Sequence, residues 1–278
     1  MVAVSLALIA CFAWGIADFL GGLKSRVLPV ITVLMLSGII GLGFVMAVVG
    51  IRGTTPPSNP VLLLAVAAGA SGVVAMLLLY KGLAVGSMTV VAPISATGVM
   101  LPVLMGLATG DAPSKLQSLG MVAAITGAVL SSRKKEKGKS KRIDSGAGLA
   151  MGAAVAIGLF FIVMDRASDV DPLWAALLMR SSYCIFLLPV ILVVRPSLKV
   201  GLSHLPGIVT LGIFDALAGV MWAMATTMGM LSLVSVLGSL YPAVTVVLAS
   251  VILREKTEGG QFIGVILAIS GVALISAG

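Results

Sequence analysis

Charge is scarce in this sequence. Only 10% of its 278 residues are charged, against about 25% in soluble domains, and that shortage excludes an ordinary water-soluble fold. Cysteine is nearly absent: Cys11 and Cys184 are the only two, both inside apolar runs. A disulfide framework and any metal-type cysteine spacing are thereby excluded. The single histidine, His204, lies at a loop edge, where solvation explains it better than catalysis. No HExxH, GxSxG, paired CxxC, GxxxxGK[ST] or Asp-rich prenyl-diphosphate motif occurs. The chain therefore reads as no enzyme of those classes, and no cofactor or metal is implied.

What is present is hydrocarbon. The chain is 59% hydrophobic with a mean hydropathy of +1.19, and apolar runs of about 20 residues, the thickness of a bilayer core, recur from end to end. A transmembrane barrel would show short alternating segments instead. The expected class is an all-α membrane protein. Charges and Pro/Gly clusters delimit ten spans: 2–23, 29–50, 61–80, 87–109, 114–132, 146–164, 172–194, 205–226, 231–253 and 260–277. The opening MVAVSLALIACFAWG has no basic region before its apolar run, so the first span is expected to remain rather than be cleaved.

Ten residues, RKKEKGKSKR at 133–142, hold seven of the eighteen basic residues. Such a run can bind nucleic acid, but it lacks interleaved aromatics and lies between membrane spans. It reads as a cytoplasmic linker, with a secondary attraction to anionic lipid headgroups and no nucleic-acid partner. The expected organisation is a first repeat at 1–132, a basic linker at 133–145 and a second repeat at 146–278.

The repeat is visible in the last span of each half, where QSLGMVAAITGAVLSS begins at Gln117 and QFIGVILAISGVALIS at Gln261. A shift of 144 residues matches Gly120 with Gly264, Ala124 with Ala268 and Gly127 with Gly271. A shift of 143 matches Pro29 with Pro172 and Gly86 with Gly229. With five spans per copy, the second copy must enter the membrane from the opposite side. Two inverted five-helix repeats are expected, as in many transporters. Loops on the linker side hold fourteen Lys and Arg and those on the other side three, which places the linker in the cytoplasm and both termini outside.

Ionisable groups at mid-depth are the candidates for chemistry. Asp215 lies ten residues into its span, roughly 15 Å deep, with Gly219 and Trp222 on the same helical face. It is a substrate contact or a proton-carrying carboxyl; a paired structural acid is the bland alternative. Arg180 lies roughly 12 Å deep, and its depth suggests a pair with Asp215, as a salt bridge or as an anion-binding group. Asp18 follows Trp14 by four residues, which puts ring and carboxyl on one face; it is nearer the end of its span, and a solvated cavity mouth explains it slightly better than substrate contact. Asp165, Asp169 and Asp171 are expected as an exposed acidic loop.

Helix breakers complete the pattern. The fourth span carries Pro93, Ser95, Gly98 and Pro102, and the ninth carries Gly238, Ser239, Tyr241 and Pro242. Proline removes a backbone hydrogen bond, and in lipid the freed carbonyls are tolerated only beside protein or a watery cavity. Breaks at equivalent places in two repeats point to a central binding site. The expected cavity is lined by spans one, three, four, six, eight and nine, with Asp215, Tyr241, Trp14, Trp222, Asp18, Arg180, Ser95 and Ser239 as substrate contacts.

The text LGSLYPAVTVVLASVILREKTEGGQFIGVILAISGVALI in the last two spans, and AWGIADFLGGLKSR in the first, resemble the drug/metabolite transporter superfamily, in particular its EamA-like members. The resemblance covers essentially the whole chain. It implies transport of small metabolites, and an acid in the short loop before the final helix of each half, matched by Glu255 and less typically by Asp111. Some relatives have cytoplasmic termini, against the charge count, which is retained. The resulting expectation is a multi-pass secondary transporter of the plasma or inner membrane, a monomer or homodimer, moving amino-acid-like or other small solutes by alternating access. Kinks at Pro93/Gly98 and Gly238/Pro242 would rock half-helices, and protons would enter through Asp215 if transport is coupled. The other class left open is a non-transporting membrane subunit or scaffold.

Overall fold

A computed structural model describes residues 1–25, 27–85, 94–132, 146–252 and 259–278. Pro93, Glu255 and the linker at 133–145 lie outside the described residues, as does the side chain of Pro242. The regular structure described is entirely helical. The first half comprises α1 (Val2–Ser25), α2 (Val30–Arg52), α3 (Leu64–Val85, entered through a 3-10 turn at Pro60–Leu63), α4 (Met100–Thr109, preceded by a 3-10 turn at Thr97–Val99) and α5 (Lys115–Ser132). The second comprises α6 (Ala147–Ser168), α7 (Pro172–Val194), α8 (Leu205–Thr226), α9 (Leu231–Gly238), α10 (Tyr241–Ile252) and α11 (Gly259–Ala277). Taken together, α9 and α10 form one span interrupted at Ser239 and Leu240. Among the described residues, eight spans are long and apolar enough to cross a bilayer, and the shorter apolar helices are Ile94–Thr109 and Lys115–Leu130. The chain is thus an all-α membrane protein of ten spans in two five-span halves.

Local chemistry marks the helix ends. Gly53, at φ +67°, closes α2, and Gly110, at φ +117°, closes α4, both in the left-handed region that glycine tolerates. Ser114 and Gln117 form a reciprocal capping box at the start of α5. Asp171 caps α7, its Oδ1 accepting from the Leu173 and Trp174 N–H groups at 3.0 Å, with Pro172 at the first helical position.

Large apolar side chains such as Phe12, Met46, Val122, Leu192 and Ile269 face outwards, towards lipid, while much of the interior is alanine and glycine. In lipid the helices gain little from hiding hydrocarbon, so close backbone approach through small residues supplies the packing. The approaches are duplicated. A methyl group at Gly15 would meet the Tyr241 carbonyl and Val244, and one at Gly158 would meet the Gly98 carbonyl and Leu101. Adding 143 to positions 15, 98 and 101 gives 158, 241 and 244. In the same way Gly120 abuts Gly271 while Gly127 abuts Gly264, both across α5 and α11. Helix neighbours follow suit: α1 packs on α8 as α6 packs on α3, α2 packs on α8 as α7 packs on α3, and α2–α7, α4–α9 and α5–α11 pair with their own counterparts. The halves are related by a pseudo-two-fold axis, and the odd span count makes the repeat an inverted one.

Candidate functional site

A cavity of about 190 Å³ opens at the meeting of α1, α2, α3, α6, α7, α8 and α10. That volume is below the roughly 300–1,000 Å³ of drug-sized sites and suits a solute of amino-acid size. Its positions on α1 run from Trp14 to Gly21, on α2 from Val33 to Gly38 and on α8 from Leu211 to Gly219. These lie at mid-depth or towards the linker side.

At its centre Arg180 Nη1 donates to Asp215 Oδ2 at 2.5 Å. The two side chains differ in exposure, 7% for Arg180 and 34% for Asp215: the carboxylate faces the cavity and the guanidinium stands behind it. The guanidinium carbon also lies 6.0 Å from the centre of the Tyr183 ring, within reach of a cation–π contact. Arg180 Nε is buried without a hydrogen-bond partner. A methyl group built on Gly41 would lie 3.6 Å from it, and one on Gly219 would lie 3.9 Å from Nη2. The rest of the guanidinium is therefore packed between the backbones of α2 and α8.

Asp18 is exposed within the cavity wall, close enough to Asp215 for the carboxylates to repel. One turn before it, Trp14 meets Phe161 edge-on at 5.9 Å and Tyr241 at 6.3 Å. Five of the fourteen aromatic residues line the cavity: Trp14, Phe160, Phe161, Tyr183 and Tyr241.

Trp14, Asp18, Arg180, Asp215 and Tyr241 are thus brought together. Trp222 is not among the lining residues. It is 1% exposed, packed behind Phe161 at 4.8 Å between ring centres, with its Nε1 buried and unpaired. Ser95 and Ser239 line a separate small void that shares Phe161 and Tyr241 with the main cavity. The Ser95 hydroxyl has no hydrogen-bond partner there, and that of Ser239 donates to the Val236 carbonyl. Among its described residues the fourth span reaches this void and not the main cavity, which is lined instead by α2, outside the expected set of spans, through Ser37, and by α7 through the expected Arg180. Gly98 of the fourth span presses on the Ala154 backbone of α6. The interruption in the fourth span is the 3-10 turn that includes Gly98; Pro102 sits in the first turn of α4, as Pro242 does in α10. A first-turn proline gives up an N–H that has no helical partner anyway. Gly238, just before the break in the ninth span, lies against Trp222.

Away from the linker side, polar links tie the halves together. Arg52 Nη1 donates to both Asp171 oxygens, at 2.8 and 2.7 Å. The Ser232 N–H donates to Asp111 Oδ2 at 2.8 Å. The expectation of an exposed acidic loop fails here: Asp165 and Asp171 are each 8% exposed. Asp171 is buried because it caps α7 and binds Arg52, a partner 119 residues away. Asp169 stays exposed, 4.0 Å from Arg166.

Ser37, Phe160, Phe161 and Tyr183 escape a reading of the sequence. A signal for Ser37 exists, since it stands 143 residues before Arg180, and one for Tyr183 in its place one turn after Arg180.

The sequence model of the EamA-like transporter family matches residues 1–133 and again 144–277. A solved crystal structure superposes with a TM-score of 0.83 over 99% of this chain and 96% of the other, at 19% identity; a likeness at that identity shows the fold alone. No curated protein matches the chain.

Proposed function

The chain belongs to the EamA-like transporter family, and from that premise we propose that this membrane transporter is a secondary carrier of small polar metabolites working by alternating access. The observation that carries the reading is a mid-membrane cavity lined by one buried ion pair and a second carboxylate. Such groups are costly to keep in hydrocarbon, and a solute that replaces their lost hydration offsets that cost.

The cavity lies on the linker side of the links Arg52–Asp171 and Asp111–Ser232. In an inverted repeat the opposite state arises when the halves exchange conformations. Those links would then part, and the breaks at Gly98 and at Ser239–Leu240 would absorb the movement of the half-helices beyond them. Substrate would engage Asp215, Asp18, Tyr241 and Trp14, competing with Arg180 for the Asp215 carboxylate. Neutralising Asp215 by a proton would have the same effect on the pair, which is how protons would couple to transport. By the charge count the linker faces the cytoplasm of a cell that keeps the carrier in its plasma or inner membrane, with the termini outside.

Efflux from proteoliposomes loaded with a metabolite extract, read by mass spectrometry, tests this. Asp215→Asn and Tyr241→Ala are each expected to reduce efflux at least about tenfold, as loss of a buried polar or aromatic contact does. Efflux and exchange unchanged in both variants would put the site elsewhere.

A further inference from the structure

Charge in the cavity is unbalanced. Its acidic and basic lining residues are two carboxyl groups, Asp18 and Asp215, and one guanidinium, Arg180. The guanidinium is engaged through Nη1, which holds Asp215; Nε is buried near Gly41 of α2, and Nη2 lies towards Gly219 of the cavity wall. A carboxylate entering the cavity would have to displace Asp215 to gain the Nη1 edge. Asp18, by contrast, is exposed to the cavity and has no cation paired with it among the described residues. An unpaired carboxylate at this depth is costly, and Asp215 beside it adds repulsion.

The walls fit the same partner. Trp14 lies one helical turn from Asp18 and packs edge-on against Tyr241 and Phe161. Aromatic faces attract ammonium groups, most strongly where water is excluded. The position equivalent to Asp18 in the second half, 143 residues on, is Phe161. A ring therefore stands where a second acid would be, and the cavity holds one ammonium site rather than two.

We infer that the cavity selects small organic cations, the ammonium group resting on Asp18 against Trp14 and Tyr241, and rejects anions and zwitterions of the same size. The inference rests on the reading of this cavity as the transport site. Rejection follows from the same groups, since a carboxylate brought into the cavity meets two acids and an occupied arginine.

Three probes of nearly equal size isolate charge: butylammonium, 4-aminobutyrate and butyrate. Isothermal titration calorimetry on the full chain in lipid nanodiscs at neutral pH should show one butylammonium site, at least about tenfold tighter than either other probe. Asp18→Asn should weaken butylammonium about tenfold or more, and Asp18→Glu should keep the preference. The wild-type ranking needs no variant to fold. Equal or tighter binding of butyrate or 4-aminobutyrate, butylammonium binding weaker than about 10 mM, or unchanged affinity in a folded Asp18→Asn protein would overturn the inference. Flux in proteoliposomes separates it from the transporter reading. Butylammonium bound but never carried would sink transport and leave selectivity standing; flux without cation preference would do the reverse.

Discussion

In the first half, Ser37 and Gly72 face the cavity from α2 and α3; in the second half, 143 residues on, α7 and α8 place Arg180 and Asp215 there. Asp18 of α1 is answered by Phe161 of α6, and Trp14 by Ile157. Packing between helices is nevertheless duplicated position by position, as at Gly15 and Gly158 or Gly127 and Gly271. Backbone approach and side-chain chemistry have therefore diverged at different rates. The small residues that let helices touch are held in both copies, because each serves one geometry used twice. The charged residues occur once each, as a single solute on the axis would require if the cavity is the transport site proposed above. The cavity is consequently lopsided inside a nearly symmetrical frame.

The comparison breaks most visibly at Asp215. Asp215→Ala leaves the buried Arg180 charge unpaired and should cost about 3 kcal/mol, the low end for breaking a buried pair because the carboxylate is partly exposed to the cavity. Its counterpart Gly72 has only ordinary contacts around it, the nearest 3.6 Å away, so Gly72→Ala should change stability by less than about 1 kcal/mol. Chemical unfolding in detergent reads both, and the double change Arg180→Ser with Asp215→Gly, which copies the first half, should be more stable than Asp215→Ala. Equal stabilities for Asp215→Ala and Gly72→Ala would mean the ion pair contributes nothing.

A smaller effect tests the symmetrical part. Gly127→Ala and Gly271→Ala each push a methyl into backbone across the α5–α11 contact and should each lower stability by about 1–2 kcal/mol, alike within error. Gly43, with nothing near its missing side chain, should accept alanine with no loss, or with a gain of up to about 1 kcal/mol. A large difference between positions 127 and 271 would deny that they are equivalent.

The smallest effects compare the ends of α2 and α7. Arg52 holds Asp171, whereas Arg195, its counterpart, sits at φ +48° with only a 3.4 Å contact to the Leu192 carbonyl. Arg52→Ala should cost up to about 1 kcal/mol, since Arg52 is largely exposed. Arg195→Gly should instead stabilise by about 0.5 kcal/mol by relieving the left-handed conformation. Thermal unfolding midpoints that move in the same direction for both would contradict the asymmetry.

The frame was largely legible in the sequence, because hydropathy reports membrane spans directly and the 144-residue register of QSLG and QFIG exposes the duplication. Helix breaks were legible too, since proline and glycine act locally. The lining of the cavity was legible where it carries charge: Asp18, Arg180 and Asp215 stand out against hydrocarbon. Ser37, Phe160, Phe161 and Tyr183 did not, because serines and rings occur throughout such helices and only tertiary packing decides which face inwards. Trp222 shows the converse error. It shares a helical face with Asp215, but beyond Gly219 that face passes from the cavity into the packed core, where Phe161 covers it. Asp171 was misplaced for a related reason, its partner Arg52 being invisible to any local reading.

The α5–α11 contact has one more property. Under the pseudo-two-fold axis the pairing of Gly120 with Gly271 becomes that of Gly264 with Gly127, which belongs to the same contact. A trade of conformations between halves therefore leaves this contact unchanged. In a carrier that works as proposed, α5 and α11 form a fulcrum, and the remaining helices turn about it. A covalent staple across the fulcrum would leave turnover intact, whereas a staple between α1 and α8, a contact that maps onto that of α6 with α3, would stall it.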